Sequence, residues 1–464
     1  MQRTLLTNVN IFDGTGSPSF PGEILIDGDR IARVEKGRGS IIPDGDVQVI
    51  DGRGGLLMPG LVEPHAHMTY NNLATVAEQG DLPPEETLLL TLKNTQLMLD
   101  AGFTSLYSAG SARMRTEVVV KQAIVSGQFV GPRMRSACPE ITTTGGLGDV
   151  RKMHKDGDLM NTIADGADAV RAAVRTAIRE GVDTIKMNLS SDDFQKIGDG
   201  KLTTYDDYEI AGGVKIAHDN GVFLACHARS DDSVRLALRH GFRSIYHCDY
   251  VEGETFDLLE EQKDHIFLAP AIGVTYTTAY EAAPWGIDQQ TATVMHQFEM
   301  LDNFPKVYGE IRKRGIRFMP GGDYGFAWNP IGTNARDFEH FVEMLGMSPA
   351  EVLMAATKWG GELMAIDQLG LLREGWLADF IIVDGDPLED VRILQDHDNV
   401  VLVVKGGDIV KLNMHYFNPE TADRGARSIT ASGPNLGAFP ERVREATSLI
   451  TASTLATSGG SSNA

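Results

Sequence analysis

The chain has 464 residues, room for about three ordinary domains or one large barrel with an attachment. Hydrophobic residues make up 42% and charged residues 23%, an ordinary globular balance that excludes disorder, coiled coil and collagen-like repeats as whole-chain readings. Acidic residues outnumber basic ones, 64 to 42, for a net charge of -22, which excludes nucleic acid and anionic membrane as natural partners.

The first 57 residues read as short strands. Thr4 to Ile11 alternates in period two, and Asp27-Gly28-Asp29-Arg30 is a hairpin turn between two β-rich runs. Met1 to Phe12 is too polar for a signal segment, and no run of 18 apolar residues occurs anywhere. The three cysteines, Cys138, Cys226 and Cys248, are too few for a disulfide framework and fit a reducing compartment. The expectation is a soluble, cytoplasmic protein.

From Gly60 apolar runs alternate with helical stretches. Eight such runs are read as strands: Leu61 to His67, Thr104 to Ala109, Arg133 to Cys138, Thr184 to Leu189, Val222 to Ala228, Ser244 to Cys248, Ile266 to Ile272 and Arg317 to Asp323. Helices are expected at Glu86 to Leu99, Ala167 to Arg179 and Asp232 to Arg239, each followed by a glycine stop at Gly102, Gly181 or Gly241. Near-continuous apolar strands fit a parallel sheet buried on both faces. The fold class is therefore α/β, a (β/α)8 TIM-type barrel with a small β-sandwich formed from both chain ends. Ser348-Pro349-Ala350-Glu351 opens a further helix, with Ser at the N-cap and Glu three residues on. Strand signals return at Asp379 to Val383 and Val400 to Lys405. The division is 1–57 and 367–413 for the β-sandwich, 58–366 for the barrel and 414–464 for a C-terminal arm or tail, partly disordered.

The chemistry concentrates at strand ends. His65 and His67 end the first strand, two residues apart, so both imidazoles face one side. Lys186 ends the fourth strand, His227 the fifth, His247 the sixth and Asp323 the eighth. Active sites of such barrels are built from strand C-termini. Four imidazoles, a lysine and a carboxylate make a donor set for two divalent cations, Zn2+ or a similar metal. Cys226 and Cys248 neighbour ligand histidines, but alternation turns them away from the barrel interior. Tyr70 follows the first strand and Tyr276, Tyr280 and Trp285 follow the seventh, candidates for an aromatic-lined pocket. His154 lies in a glycine-rich segment, 142–158, read as a loop over the mouth. Arg229 stands two residues beyond His227 and could reach the mouth or pair with Asp231 or Asp232.

These six residues, in that order, resemble the metal-dependent amidohydrolase superfamily. The flanks agree: Met58-Pro59-Gly60-Leu61-Val62-Glu63 before the His-x-His, and Gly370 to Gly375 followed by Ala378-Asp379 near the end. The resemblance implies two metals. His65, His67 and Asp323 would hold one, His227 and His247 the other. Lys186 would bridge them as a CO2-derived carbamate beside a shared hydroxide. Asp323 would shuttle the proton and act with Lys186 as a catalytic residue. The segments Cys226 to Arg229 and Gly241 to His247 resemble the imidazolonepropionase and prolidase-like branch, nearest to bacterial phenylurea hydrolases related to molinate hydrolase. That implies hydrolysis of an N,N-dialkyl-N'-aryl urea to an aniline and a carbamic acid, a small-molecule substrate, and a homo-oligomer. The alternative is a Xaa-Pro-type dipeptidase or an ochratoxin-type N-acyl amino acid amidase, which needs a cation such as Arg229 or His154 for the substrate carboxylate. A metal-free scaffold barrel is a third class, against which all six ligand positions stand filled.

Overall fold

The computed structural model describes residues 3–152, 154, 160–194, 199–418 and, as backbone, 429–430. The tail expected beyond 418 otherwise lies outside the described residues. Among the described residues no helix is long and apolar enough to cross a membrane.

Five strands open the chain: β1 (Arg3–Ile11), β2 (Phe20–Asp27), β3 (Arg30–Lys36), β4 (Val47–Asp51) and β5 (Leu56–Pro59). Then come β6 (Leu61–Ala66), β7 (Phe103–Ser108), β8 (Arg133–Arg135), β9 (Ile141–Thr142), β10 (Thr162–Ile163), β11 (Thr184–Asn188), β12 (Phe223–Ser230), β13 (Ser244–Tyr250) and β14 (Phe267–Ala269). The last are β15 (Phe380–Val383), β16 (Val400–Lys405), β17 (Asp408–Leu412) and β18 (Ile429–Thr430).

Both ends of the chain share one sheet, in the order β18-β17-β16-β15-β5-β1-β2-β3, with β4 parallel to β1. Ile24 and Ile26 of β2 share an apolar cluster with Leu402 and Leu412, far along that order, so the sheet folds over its own core. The hairpin between β2 and β3 turns at Gly28 and Asp29, where the sequence places it.

The middle of the chain is parallel. β6-β7-β8 form one sheet and β10-β9-β11-β12-β13-β14 another. A bridge between Ala137 and Thr184 links them, and a bridge between Leu268 and Phe318 adds the eighth apolar run. That run does not continue as a strand. Pro320 has no N–H to give, Gly321 and Gly322 follow, and Asp323 has a left-handed φ of 57°. The described sheets therefore make no closed ladder. Where the eighth run meets the first strand, contact is by packing: a Cβ on Gly321 would lie 2.8 Å from the Pro64 ring and 3.0 Å from the Cβ of His65.

Helices cover the outer face of these strands, as period and caps dictate. Pro84–Asp100 and Asp231–Arg239 match the expected runs. Gly166–Glu180 stops at Gly181, whose left-handed backbone (φ 91°) turns its N–H back to the last carbonyls. Ser348 and Glu351 form the reciprocal capping box. On the inner face of these strands, Ala109, Ala225 and Ala269 pack around Tyr246, whose hydroxyl donates to the Pro64 carbonyl at 3.0 Å. The interior is filled, and chemistry is left to the strand C-termini above it.

The two parts are pinned by Arg133 of β8. Its guanidinium makes paired bonds of 2.6 and 2.9 Å to Asp379, whose carboxylate also accepts the Gly406 N–H at 2.7 Å. Asp379 is buried, so removing its partner strands a desolvated charge. Arg133→Met is expected to lower stability by about 3 kcal/mol, read as a lower urea midpoint at unchanged slope.

Candidate metal centre

At the top of β6 the backbone delivers His65 and His67, 1% and 2% exposed, with ring centroids 5.2 Å apart. Outer groups orient both. Glu63 accepts the His65 backbone N–H at 3.0 Å and the Asn334 amide at 2.7 Å. The His67 Nδ1 stands 3.0 Å from the Gly110 carbonyl, which can only accept, so Nδ1 carries the proton and Nε2 a lone pair. That Nε2 lies 3.1 Å from Asp323 Oδ1, and His65 Nε2 lies 3.7 Å from the same oxygen. Donor atoms of these three residues all fall within 4.8 Å of one another.

His227 and His247 stand three residues before the ends of β12 and β13, with ring centroids 4.4 Å apart; His65 and His247 are 5.5 Å apart. His227 Nε2 stands 3.2 Å from the Ser191 carbonyl, which leaves Nδ1 as its free donor. His247 and Cys248 both have left-handed φ, 76° and 58°, as does Asp323 at 57°. Such backbone costs of order 1–3 kcal/mol per residue and persists where the surroundings over-determine it. Lys186 is 2% exposed. Its Nζ donates to the Ala109 carbonyl at 2.8 Å and to Glu140 at 3.3 Å. The structure thus brings together all six residues that the sequence singles out.

Burial pushes His65 and His247 well below the ordinary imidazole value and His227 down to about 4. Burial opposes ionisation of Asp323, but His65, His67 and Lys186 outweigh it and hold the carboxyl below its usual range. Burial lifts Glu63 to about 8 and Glu117 to about 7. Neutral imidazoles around one ionised carboxylate are the ligating forms of these groups. The donor set fits a divalent cation on two further counts. The Nδ1 atom of His247 is buried without a hydrogen-bond partner, and the Nε2 of His67 lies 3.1 Å from a carboxylate oxygen.

A cavity opens above this cluster. One wall is apolar: Tyr70, Val76, Leu147, Met160, Phe194 and Phe326. Tyr70 stacks on His67 at 4.3 Å and meets Phe326 edge-on at 6.4 Å; Phe194 stacks on Phe326 at 5.9 Å. Arg229 lines the opposite side, fully buried. Its Nε donates to Asp192 at 2.6 Å and its Nη1 to Asp249. The sequence suggests Asp231 or Asp232 as partners. The fold supplies others, because Asp249 leaves β13 beside the end of β12 and Asp192 follows β11.

Three candidates stand elsewhere. Tyr276, on the helix Ile272–Tyr280, packs against His340 at 4.7 Å and Tyr280 at 4.9 Å and does not line the cavity. Its helix leans on Arg336–Leu345, which turns the ring towards the helix layer. Trp285 lies outward against Trp328. His154 is exposed and away from the lining. Of its loop, Leu147 and Gly148 form part of the wall, while 153 and 155–158 lie outside the described residues. Sequence reasoning misses Glu140, Asp192, Phe194 and Phe326. All four follow strands three, four or eight, so the strand-end rule that finds the ligands points to them as well.

The amidohydrolase family model matches residues 56–410, and the chain belongs to that family. Ochratoxinase of Aspergillus niger is 26% identical over 381 residues, covering 77% of this chain and 76% of that protein. The crystal structure of a Xaa-Pro dipeptidase with bound methionine is 27% identical, with a TM-score of 0.77, covering 88% of this chain and 99% of that one. Phenylurea hydrolase B is similar in fold, with a TM-score of 0.69 at 20% identity over 93% of this chain and 100% of that one. The chain is a hydrolytic enzyme acting on C–N bonds, of a family that generally uses divalent metal ions.

Because burial holds the His227 imidazole neutral down to about pH 4, metal should be retained above that value and lost as the pH falls through it. Metal content after desalting across a pH series checks this. Loss centred near 6.5, the ordinary imidazole value, would contradict it.

Proposed function

We propose that the enzyme hydrolyses a neutral N-aryl urea or amide, an N,N-dialkyl-N'-aryl urea being the preferred class, at a two-metal centre in the mouth of a (β/α)8 barrel. His65, His67 and Asp323 would hold one cation, His227 and His247 the other, with Lys186 bridging as a carbamate; Zn2+ suits the imidazole-rich set. When bound, the cations supply Lewis acidity and bring the pKa of water towards neutrality.

The chain's own residues supply the rest. Asp323, held below the usual carboxylate range by His65, His67 and Lys186, is the group placed to hold the proton of the attacking water on a carboxylate oxygen and return it to the leaving nitrogen. The wall of Tyr70, Phe194 and Phe326 takes the aryl ring and excludes water. Asn161 presents a buried Oδ1 with no protein partner at the cavity, an acceptor for the urea N–H.

The observation that carries the choice of a neutral substrate is the charge state around Arg229. Asp192 and Asp249 already balance the guanidinium, so a substrate carboxylate would enter a place with an acid in excess. A second reading, dipeptidase or N-acyl amino acid amidase, is favoured by the position of Arg229 on the cavity wall and by the 26% and 27% identities to ochratoxinase and the Xaa-Pro dipeptidase.

A substrate panel with the zinc-loaded enzyme separates the two: phenylureas, anilides, thiocarbamates, N-acyl amino acids and Xaa-Pro dipeptides. The expected outcome is aniline release from the neutral aryl substrates. A kcat/KM higher for the carboxylated ones by about tenfold or more, some 1.4 kcal/mol of transition-state preference, would establish the second reading instead. Asp323→Asn should lower kcat by about 10²- to 10⁴-fold.

A further inference from the structure

We infer that Glu140 is a positioning residue for Lys186: its carboxylate, anchored by Asn188, fixes the lysine nitrogen at the metal centre. The inference rests on the reading of Lys186 as the bridging ligand and is independent of which substrate is cleaved.

Glu140 lies just beyond the third apolar run, 7% exposed, and lines the floor of the cavity. One carboxylate oxygen accepts from the Asn188 amide at 2.9 Å and the other from Lys186 Nζ at 3.3 Å. Lys186 and Asn188 are two residues apart on β11, so they share a face, and a single carboxylate spans both. Room for it is built into the neighbouring strand end. Gly110 has a φ of 144°, and a Cβ there would lie 2.8 Å from Glu140 Cγ and 2.9 Å from Oε1. The same corner orients two ligands, because the Ala109 carbonyl accepts from Lys186 at 2.8 Å and the Gly110 carbonyl faces His67 Nδ1 at 3.0 Å.

A four-carbon ammonium arm has many rotamers, and two acceptors from different strands select one. The clamp also suits the modified side chain. Carbamylation joins the neutral amine nitrogen to the carbon of CO2; of the two amine protons one leaves to solvent and one stays. The remaining N–H needs an acceptor, which Glu140 or the Ala109 carbonyl supplies. Partners of this kind fix metal ligands in orientation, and their loss typically weakens metal binding by about 10- to 100-fold.

The test uses the full-length enzyme, zinc alone and ¹³C-bicarbonate. Glu140→Ala should bind zinc about 10- to 100-fold more weakly in competition with a chelator and lose the carbamate carbon signal in ¹³C NMR. Its zinc-free circular dichroism should stay near that of the parent, while the melting temperature falls because the buried Lys186 loses its ionic partner. Glu140→Gln keeps an acceptor oxygen and should restore both readouts. Asn188→Ala, which frees the carboxylate from its anchor, should shift both in the same direction as Glu140→Ala but less. Parent-like zinc affinity and carbamate signal in a folded Glu140→Ala would overturn the inference. So would a Glu140→Gln as impaired as Glu140→Ala, or, if Glu140→Ala does not fold, a parent-like Asn188→Ala. No substrate enters these measurements, so an error in the aryl-urea reading leaves them intact.

Discussion

Everything at the mouth depends on one arrangement: the half-buried carboxylate of Asp323 set against the Nε2 atoms of two imidazoles, 3.1 Å from His67 and 3.7 Å from His65. The carbonyl of Gly110 fixes the His67 tautomer, so its Nε2 lone pair faces Asp323 Oδ1 at 3.1 Å. Burial also keeps His65 neutral. Lone pairs converging on an anion repel unless a cation lies between them, and the rest of the site is organised to hold them there anyway. Left-handed backbone at His247, Cys248 and Asp323 is part of that cost. The parallel ladder from β11 to β14 and the packed interior around Tyr246 supply the rigidity that sustains it.

Around the ligands stands a second tier of buried acids whose roles differ with their partners. Glu63 and Glu117 accept backbone N–H groups, and burial drives both towards neutrality. Glu140 is held the other way: burial opposes its ionisation, but Lys186, His67 and the Asn188 amide hold it ionised. The net charge of -22 gives no hint of this sorting, which is decided by local partners.

The six clustered residues are legible in the sequence because they obey one rule. Period two places His65 and His67 together, and the strand-end rule places Lys186, His227, His247 and Asp323 at the same mouth. Helix ends at Gly181 and Ser348 were legible for the same local reason, since the cap residue carries its own geometry. The eighth run has the apolar residues of a strand, but Pro320 and the glycines after it withdraw the hydrogen bonds that a strand needs. An aromatic that follows a strand, such as Tyr276, gives no sign of which layer it will meet; its place on a helix and its contact with His340 decide that in three dimensions. The acids that pair with Arg229 follow two different strands, and only their spatial adjacency reveals them.

That pairing changes what Arg229 means. Read alone, an arginine two residues past a ligand histidine is an anion receptor. Fully buried between Asp192 and Asp249, it is a structural ion cluster whose positive charge is consumed within the wall. Breaking such a cluster leaves a desolvated acid, so a substrate that drew Nε or Nη1 away from Asp192 and Asp249 would carry that cost. Nor is the partnership isolated, since Asp192 Oδ2 also lies 3.5 Å from His227 Nε2. A substrate that pulled Arg229 away would disturb a ligand histidine, whereas a neutral aryl group seated on Tyr70, Phe194 and Phe326 leaves the cluster untouched. On the proposed reading, Asp192 couples the choice of substrate to the imidazole of His227 through a single carboxylate.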